Sequence, residues 1–388
     1  MVNFDDIDID SLRRKRGVKW NRDADDILPA WVADMDFPVA EPISEALIQA
    51  IETQDLGYAP APGYHPLRRV FRNRLAERFG WEVPLRHIAL LTDVVQGLYI
   101  GLSLYSEPGQ RAVVQTPIYP PFMGAVANTG RRFLFNPLVH DGQRFVMDLD
   151  GLAEAIDAQT RIILLCNPHN PTGRSFERAE LEALAELALA HDLTVISDEI
   201  HADLVYDGRP HIPFGSLSPE IAERTVTLMS ASKTFNIAGL HCALAIFGSE
   251  VLLERFETIP IAARGAVSSL GLTASLCAFK FGQPWLDAVL SYLQSNRDWL
   301  ADFLKARIPD IHFTPPEATY LAWLDCRALN LAVPPHEHFF DNARVALSPG
   351  ADFGAADEPS HVEGFARLNF ATSRDILEQI VERMAKSL

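Results

Sequence analysis

The chain is poor in cysteine, short of basic residues relative to acidic ones, and without any long apolar run. Its four cysteines, Cys166, Cys242, Cys277 and Cys326, lie far apart in apolar surroundings, with neither the close pairs of a metal site nor a disulfide framework. They suit a reducing cytoplasm, so we expect a cytoplasmic protein without a metal. With 34 Lys and Arg against 51 Asp and Glu, the formal net charge is −17. That charge repels phosphate backbones and argues against nucleic acid as a partner. The one basic run, Arg13-Arg14-Lys15-Arg16, follows Asp5, Asp6, Asp8 and Asp10 and precedes no apolar core, so it reads as a solvated N-terminal arm and not as a signal peptide. No window approaches the roughly 18 uninterrupted apolar residues of a membrane helix, which excludes membrane spanning. Internal repeats and low-complexity tracts are also missing.

What is present is 388 residues with 48% hydrophobic content, too long for one ordinary core and ample for two. Between about residues 85 and 250, β-rich runs alternate with helical patterns: Arg111 to Gln115, Arg161 to Cys166, Leu193 to Ser197, Thr225 to Leu228 and Ala243 to Phe247. Strands separated by helices imply an α/β fold with a mostly parallel sheet covered on both faces. The clearest βαβ crossover runs from Arg161 through a helix bearing Leu181, Leu184 and Leu187 to Ser197. After Gly271 one long helical stretch is expected to continue towards Ile308, its stripe of Trp285, Leu286, Val289, Leu290, Leu293 and Leu300 forming core. Strand-like runs at Ala318 to Leu324 and Ala366 to Phe370 and a helix from Asp375 to Lys386 complete a smaller α+β C-terminal domain. The expected division is an arm over residues 1–45 that joins the small domain, a large domain over 46–280 and the small domain over 281–388.

Functional side chains in such sheets collect beyond the carboxyl ends of the strands. Lys233 stands there in Ser230-Ala231-Ser232-Lys233-Thr234, just after the run Thr225 to Leu228. A lysine desolvated beside a buried strand loses its proton and condenses with an aldehyde, as in an enzyme that holds pyridoxal phosphate. The alternative is a surface lysine capping a strand. Asp198, in Ser197-Asp198-Glu199-Ile200-His201, ends another strand. A buried carboxylate needs a cationic partner, and a protonated pyridine nitrogen is one; a plain helix cap is the other reading. The loop Asn167-Pro168-His169-Asn170-Pro171-Thr172-Gly173 is stiffened by two Asn-Pro pairs, so Asn170 either donates to the cofactor's phenolic oxygen or shapes a turn. Thr92-Asp93-Val94-Val95-Gln96-Gly97 precedes a helical pattern, and the free N–H groups of Val94 and Val95 make an anion site for the phosphate, helped by the Ser230 and Ser232 hydroxyls. Tyr119 is a candidate to stack on the pyridine or a core tyrosine. Arg367, on an alternating strand, grips a substrate α-carboxylate or is simply exposed.

These segments, in this order, resemble a fold-type I pyridoxal phosphate enzyme of the class I/II aminotransferase family, over nearly the whole chain. The resemblance implies a PLP-dependent transferase-like large domain, with Lys233 bonded to the cofactor, Asp198 on the ring nitrogen and Asn170 on the phenolic oxygen. His201 stands where many aminotransferases have tyrosine, and His241 where they hold the phosphate with arginine. Asp93 replaces a glycine usual in the subgroup. The stretches Trp31-Val32-Ala33-Asp34-Met35-Asp36-Phe37, Pro316 to Leu321 and Arg367 to Phe370 resemble the cystathionine β-lyase subgroup of C–S lyases, with Ala33, Asn170 and Arg367 meeting the substrate. That implies elimination of a thiol from an S-substituted cysteine such as L-cystathionine. It also implies a homodimer in which Tyr58 reaches the neighbouring subunit's phosphate, the other reading of Tyr58 being a buried interface aromatic. The alternatives are a PLP-dependent aminotransferase, and a catalytically silent regulator that keeps the fold.

Overall fold

The apolar runs between residues 88 and 247 assemble into one seven-stranded sheet. The structure is a computed structural model that describes residues 3–59, 65–355 and 362–388. In chain order the strands are β1 (Ile88–Leu91), β2 (Arg111–Val114), β3 (Arg132–Phe135), β4 (Thr160–Cys166), β5 (Thr194–Asp198), β6 (Thr225–Met229) and β7 (Ala243–Phe247). Their spatial order is β1-β7-β6-β5-β4-β2-β3. Only β7 runs antiparallel to its neighbours; the other pairs are parallel. The five expected strands form to within a residue or two. The edge strands β1 and β3 were not anticipated.

Parallel strands are buried on both faces, so alternate residues serve different helices. Ile163, Leu165 and Val195 pack on Leu181, Leu184 and Ala188 of the helix Arg178–Ala190. Ile162, Leu164 and Ile196 face Leu98 and Leu102 of the helix Val94–Tyr105. Leu187, expected on the buried side, is only partly covered.

A second, antiparallel sheet contains β8 (His312–Phe313), β9 (Leu321–Asp325), β10 (Ser348–Pro349) and β11 (Phe365–Asn369), in the order β8-β9-β11-β10. Strand β9 starts later than the apolar run at Ala318 because Thr319 takes a positive φ of 70° and bends the chain. The helix Arg374–Lys386 closes the fold.

Two expectations need correction. The long helix after Gly271 is two helices, Ser269–Phe281 and Gln283–Arg307. At Gly282 a Cβ would lie 2.5 Å from both the Ala278 carbonyl oxygen and the Phe235 ring, and Pro284 opens the second helix. The stripe is core as expected, with Trp285, Leu286, Val289, Leu293 and Leu300 buried. The N-terminal arm is not simply solvated. Arg14, Lys15 and Arg16 are exposed, but Leu12 and Trp20 are buried. Lys19 forms a buried ion pair with Asp36 at 2.9 Å, and Leu28–Pro29 pairs in parallel with Val345–Ala346. The charges hid an apolar face that needed a partner from the far end of the chain. Among the described residues no helix is long and apolar enough to cross a membrane.

Candidate active site

The loops beyond β4, β5 and β6 and the start of the helix Val94–Tyr105 surround a cavity that opens to solvent. Ala33, Val94, Val95, Tyr119, Asn170, Asp198, His201, Ser230, Ser232, Lys233 and His241 all line it. Arg367 lies behind Asn170, outside the lining. Tyr58 is fully exposed on the single chain and takes no part in the cavity.

Ser230, the residue after β6, caps the short helix Ala231–Thr234 by accepting from the Ser232 N–H at 3.0 Å, and this turn aims Lys233 inward. Lys233 Nζ donates to the Ala33 carbonyl at 2.7 Å. Burial holds its amine below the usual lysine range; Asp34 and Asp198 oppose that effect and Arg367 adds to it. The Tyr320 hydroxyl donates to the same Ala33 oxygen at 3.0 Å.

Ala33 belongs to a stretch, Trp31 to Phe37, that lies outside any strand yet is closely held. Every carbonyl in it accepts from a side chain. Arg367 and Ser348 hold Trp31, at 2.8 and 2.6 Å. Asn369 holds Val32 and Asp34, at 2.7 and 2.6 Å, and Lys19 also reaches Asp34. Asn236 holds Met35 and Phe37 at 3.0 and 2.9 Å, and Lys15 holds Asp36. Polar side chains replace a ladder here, which satisfies the backbone without a neighbouring strand.

Asp198 closes β5 and accepts from the Ile200 N–H at 3.0 Å. Burial pushes its carboxyl up to about 7, with Glu199 adding to the effect. Among the described residues no cation lies within ion-pair distance of it. Glu199 points away from the cavity, taking bonds from Ser197, His211 and the Phe214 N–H and so pinning the strand end. His201 is buried with its Nδ1 unpartnered, and burial pushes its imidazole down to about 3, so it is neutral.

Asn170 is buried and its Oδ1 accepts from Arg367 at 2.9 Å, which leaves its amide N–H groups to donate elsewhere. Arg367 also reaches Ser348 at 3.1 Å, while its Nε has no partner. Burial lowers its guanidinium to about 10, still charged at neutral pH. At the other end of the cavity Asp93 caps the helix Val94–Tyr105 by accepting from the Gln96 N–H at 2.7 Å. The N–H groups of Val94 and Val95 have no partner within the helix. His241, at a positive φ of 48°, sits 3.8 Å from Asp93.

Sequence reasoning did not single out Thr92, Cys166, Ile200, Ala238 or Cys242, which also line the cavity. Cys166 was discoverable as the last residue of β4, directly before the Asn-Pro loop. Both thiols are raised by burial, that of Cys242 to about 11. Tyr320 and Ser348 were missed as well, since their contact with the site runs through the Trp31 to Phe37 backbone.

This arrangement, a shielded lysine facing a buried carboxylate with an anion-binding helix start across the cavity, defines a class of enzyme. Residues 33–384 match the family described as aminotransferase class I and II, and the chain belongs to that family. Within it, the chain is 35% identical over 381 residues to cystathionine beta-lyase PatB of Bacillus subtilis, covering 96% of this chain and 97% of that one. The crystal structure of OvoB matches with a TM-score of 0.93 and 41% identity, over 100% of this chain and 99% of the other. A putative PLP-dependent beta-cystathionase of Corynebacterium diphtheriae matches with a TM-score of 0.92 and 35% identity over 99% of both chains.

Proposed function

We propose that this protein is a pyridoxal 5'-phosphate-dependent carbon–sulfur β-lyase, cleaving L-cystathionine or a related S-substituted cysteine to pyruvate, ammonia and a thiol. The observation that carries the reading is Asp198, a carboxylate that burial raises to about 7, lining the same cavity as Lys233, whose amine burial holds below the usual lysine range. The residues fit the cofactor. Asp198 would hold the protonated ring nitrogen, the free Asn170 amide the phenolic oxygen, and the Val94 and Val95 N–H groups with Ser230, Ser232 and His241 the phosphate. Tyr119 would cover the ring face and His201 the ring edge, while Lys233 would carry the aldehyde carbon. Pyridoxal phosphate, when bound, supplies the electron sink for charge released at the substrate's Cα.

Arg367 would bind the substrate α-carboxylate, and the Ala33 backbone would border the substrate. Lys233, whose amine burial holds below the usual lysine range, would remove the Cα proton. The charge left at Cα expels the thiolate from Cβ.

We further propose a homodimer, in which Tyr58 reaches the neighbouring subunit's site; its full exposure beside exposed Ile48, Ile51 and Leu56 supports this. The division into residues 1–45, 46–280 and 281–388 is likewise proposed, supported by the pairing of Leu28–Pro29 with Val345–Ala346.

The test is cofactor-loaded protein with L-cystathionine and no oxo acid. Catalytic pyruvate with equal thiol is expected. Stoichiometric conversion to an aminated cofactor, with turnover only once an oxo acid is added, would replace the lyase by an aminotransferase.

A further inference from the structure

Two donors converge on one acceptor behind the site: Lys233 Nζ at 2.7 Å and the Tyr320 hydroxyl at 3.0 Å, both on the Ala33 carbonyl. Tyr320 is fully buried, wedged by the edge of His201, and does not line the cavity. We infer that the Tyr320 hydroxyl disfavours the charged form of Lys233 by sharing the one carbonyl that would otherwise serve the ammonium alone. The inference rests on the reading of Lys233 as the cofactor-bearing amine.

The physical reasoning concerns lone pairs and hydrogens. An ammonium makes a charge-assisted bond to a carbonyl roughly twice as strong as a neutral amine does. A carbonyl used by Lys233 alone would therefore favour the charged lysine. Here the phenol's hydrogen points at the same oxygen, so the positive end of its dipole lies beside the amine and disfavours a charge there. The Ala33 oxygen cannot turn away, because Asn369 fixes the carbonyls on either side of it and Asn236 those beyond. Tyr320 is thus a positioning residue with an electrostatic consequence.

The other groups that face Lys233 do not produce this balance. Asp34 from the Trp31 to Phe37 stretch and Asp198 from β5 favour the ammonium, while Arg367 from β11 opposes it. His201 is neutral, and Tyr119, Asp93 and His241 line the same cavity from further round. Desolvation is the largest effect on the lysine, and Tyr320 acts in the same direction through a single bond.

Tyr320→Phe keeps the ring and removes only the donor. The measurement is the rate at which full-length protein, stripped of cofactor and mixed with pyridoxal 5'-phosphate, develops the absorbance of the bound cofactor, followed across pH. Only the neutral amine attacks the aldehyde, so the rate's acid limb reports Lys233. For Tyr320→Phe the midpoint is expected to move up by about one pH unit, a roughly tenfold slower association below both midpoints. 3-Fluorotyrosine at position 320, a stronger donor, is expected to move it down. A merely structural role would change amplitude or melting temperature and leave the midpoint in place, and an unmoved or oppositely moved midpoint overturns the inference. Should wild-type protein develop no such band, the cofactor reading itself fails and the inference goes with it; a normal wild-type band with unshifted variants sinks the inference alone.

Discussion

Burial raises the Asp198 carboxyl from 3.8 to about 7, and this sets function against stability at one residue. Folding favours its protonated form, so its contribution is most favourable below the unfolded value of 3.8 and is lost as pH rises through about 7, on the order of 4 kcal/mol in all. Asp198→Asn removes the charge and keeps an oxygen for the Ile200 N–H. Cofactor-free Asp198→Asn is therefore expected to melt at a higher temperature than the wild type near about pH 8, with the gap narrowing as pH falls towards about 5. Its affinity for pyridoxal phosphate should fall tenfold or more, on the order of the cost of losing a buried ionic partner. Paired melting and cofactor-titration curves check both halves. Asp198 itself was visible in the sequence because a carboxylate closing an apolar strand is unusual. The loss of its water was not, since burial is a property of the packed sheet.

Among the elements, the sheet and its loops were legible because strands buried on both faces read as continuous apolar runs and the loops carry Asn-Pro pairs and the Ser-Asp-Glu end. The Trp31 to Phe37 stretch was legible only as a likeness, since Ala33 and Lys233 are 200 residues apart and nothing local announces their contact. Asn236, at a positive φ of 57° that asparagine tolerates, clamps this stretch on both sides by also accepting from the Met35 N–H at 3.1 Å. Asn236→Ala should cost about 1–3 kcal/mol by stranding these groups, and should speed hydrogen exchange at the Met35 amide, read by mass spectrometry. On the other side of the cavity, Gly101 lets the helix Val94–Tyr105 lie close on β5: a Cβ there would meet Ile196 Cδ1 at 2.4 Å. Gly101→Val is expected to lose about 1–3 kcal/mol in chemical denaturation and to weaken cofactor binding by displacing the helix start.

At the scale of the whole molecule, the proposed dimer makes a prediction that a monomer cannot meet. Lys233→Ala and Tyr58→Ala should each be nearly inactive, and each mixed dimer would hold one site with both defects and one with neither. Unfolding and refolding the two variants together should therefore restore about a quarter of wild-type pyruvate formation, as expected for random pairing of a two-fold assembly. No recovery, with dimers seen by sedimentation, would place Tyr58 outside its neighbour's site. The sequence could suggest this pairing only through family likeness, because exposed Ile48, Ile51, Leu56 and Tyr58 gain meaning only once the rest of the surface is known. The four cysteines are all unpaired, and two of them stand in the chamber where a thiol would be released. Held protonated by burial, Cys166 and Cys242 are poor nucleophiles towards any disulfide formed from that product. An enzyme built this way resists being poisoned by its own sulfur, and its activity should survive oxidised product that would silence a site with an exposed thiolate.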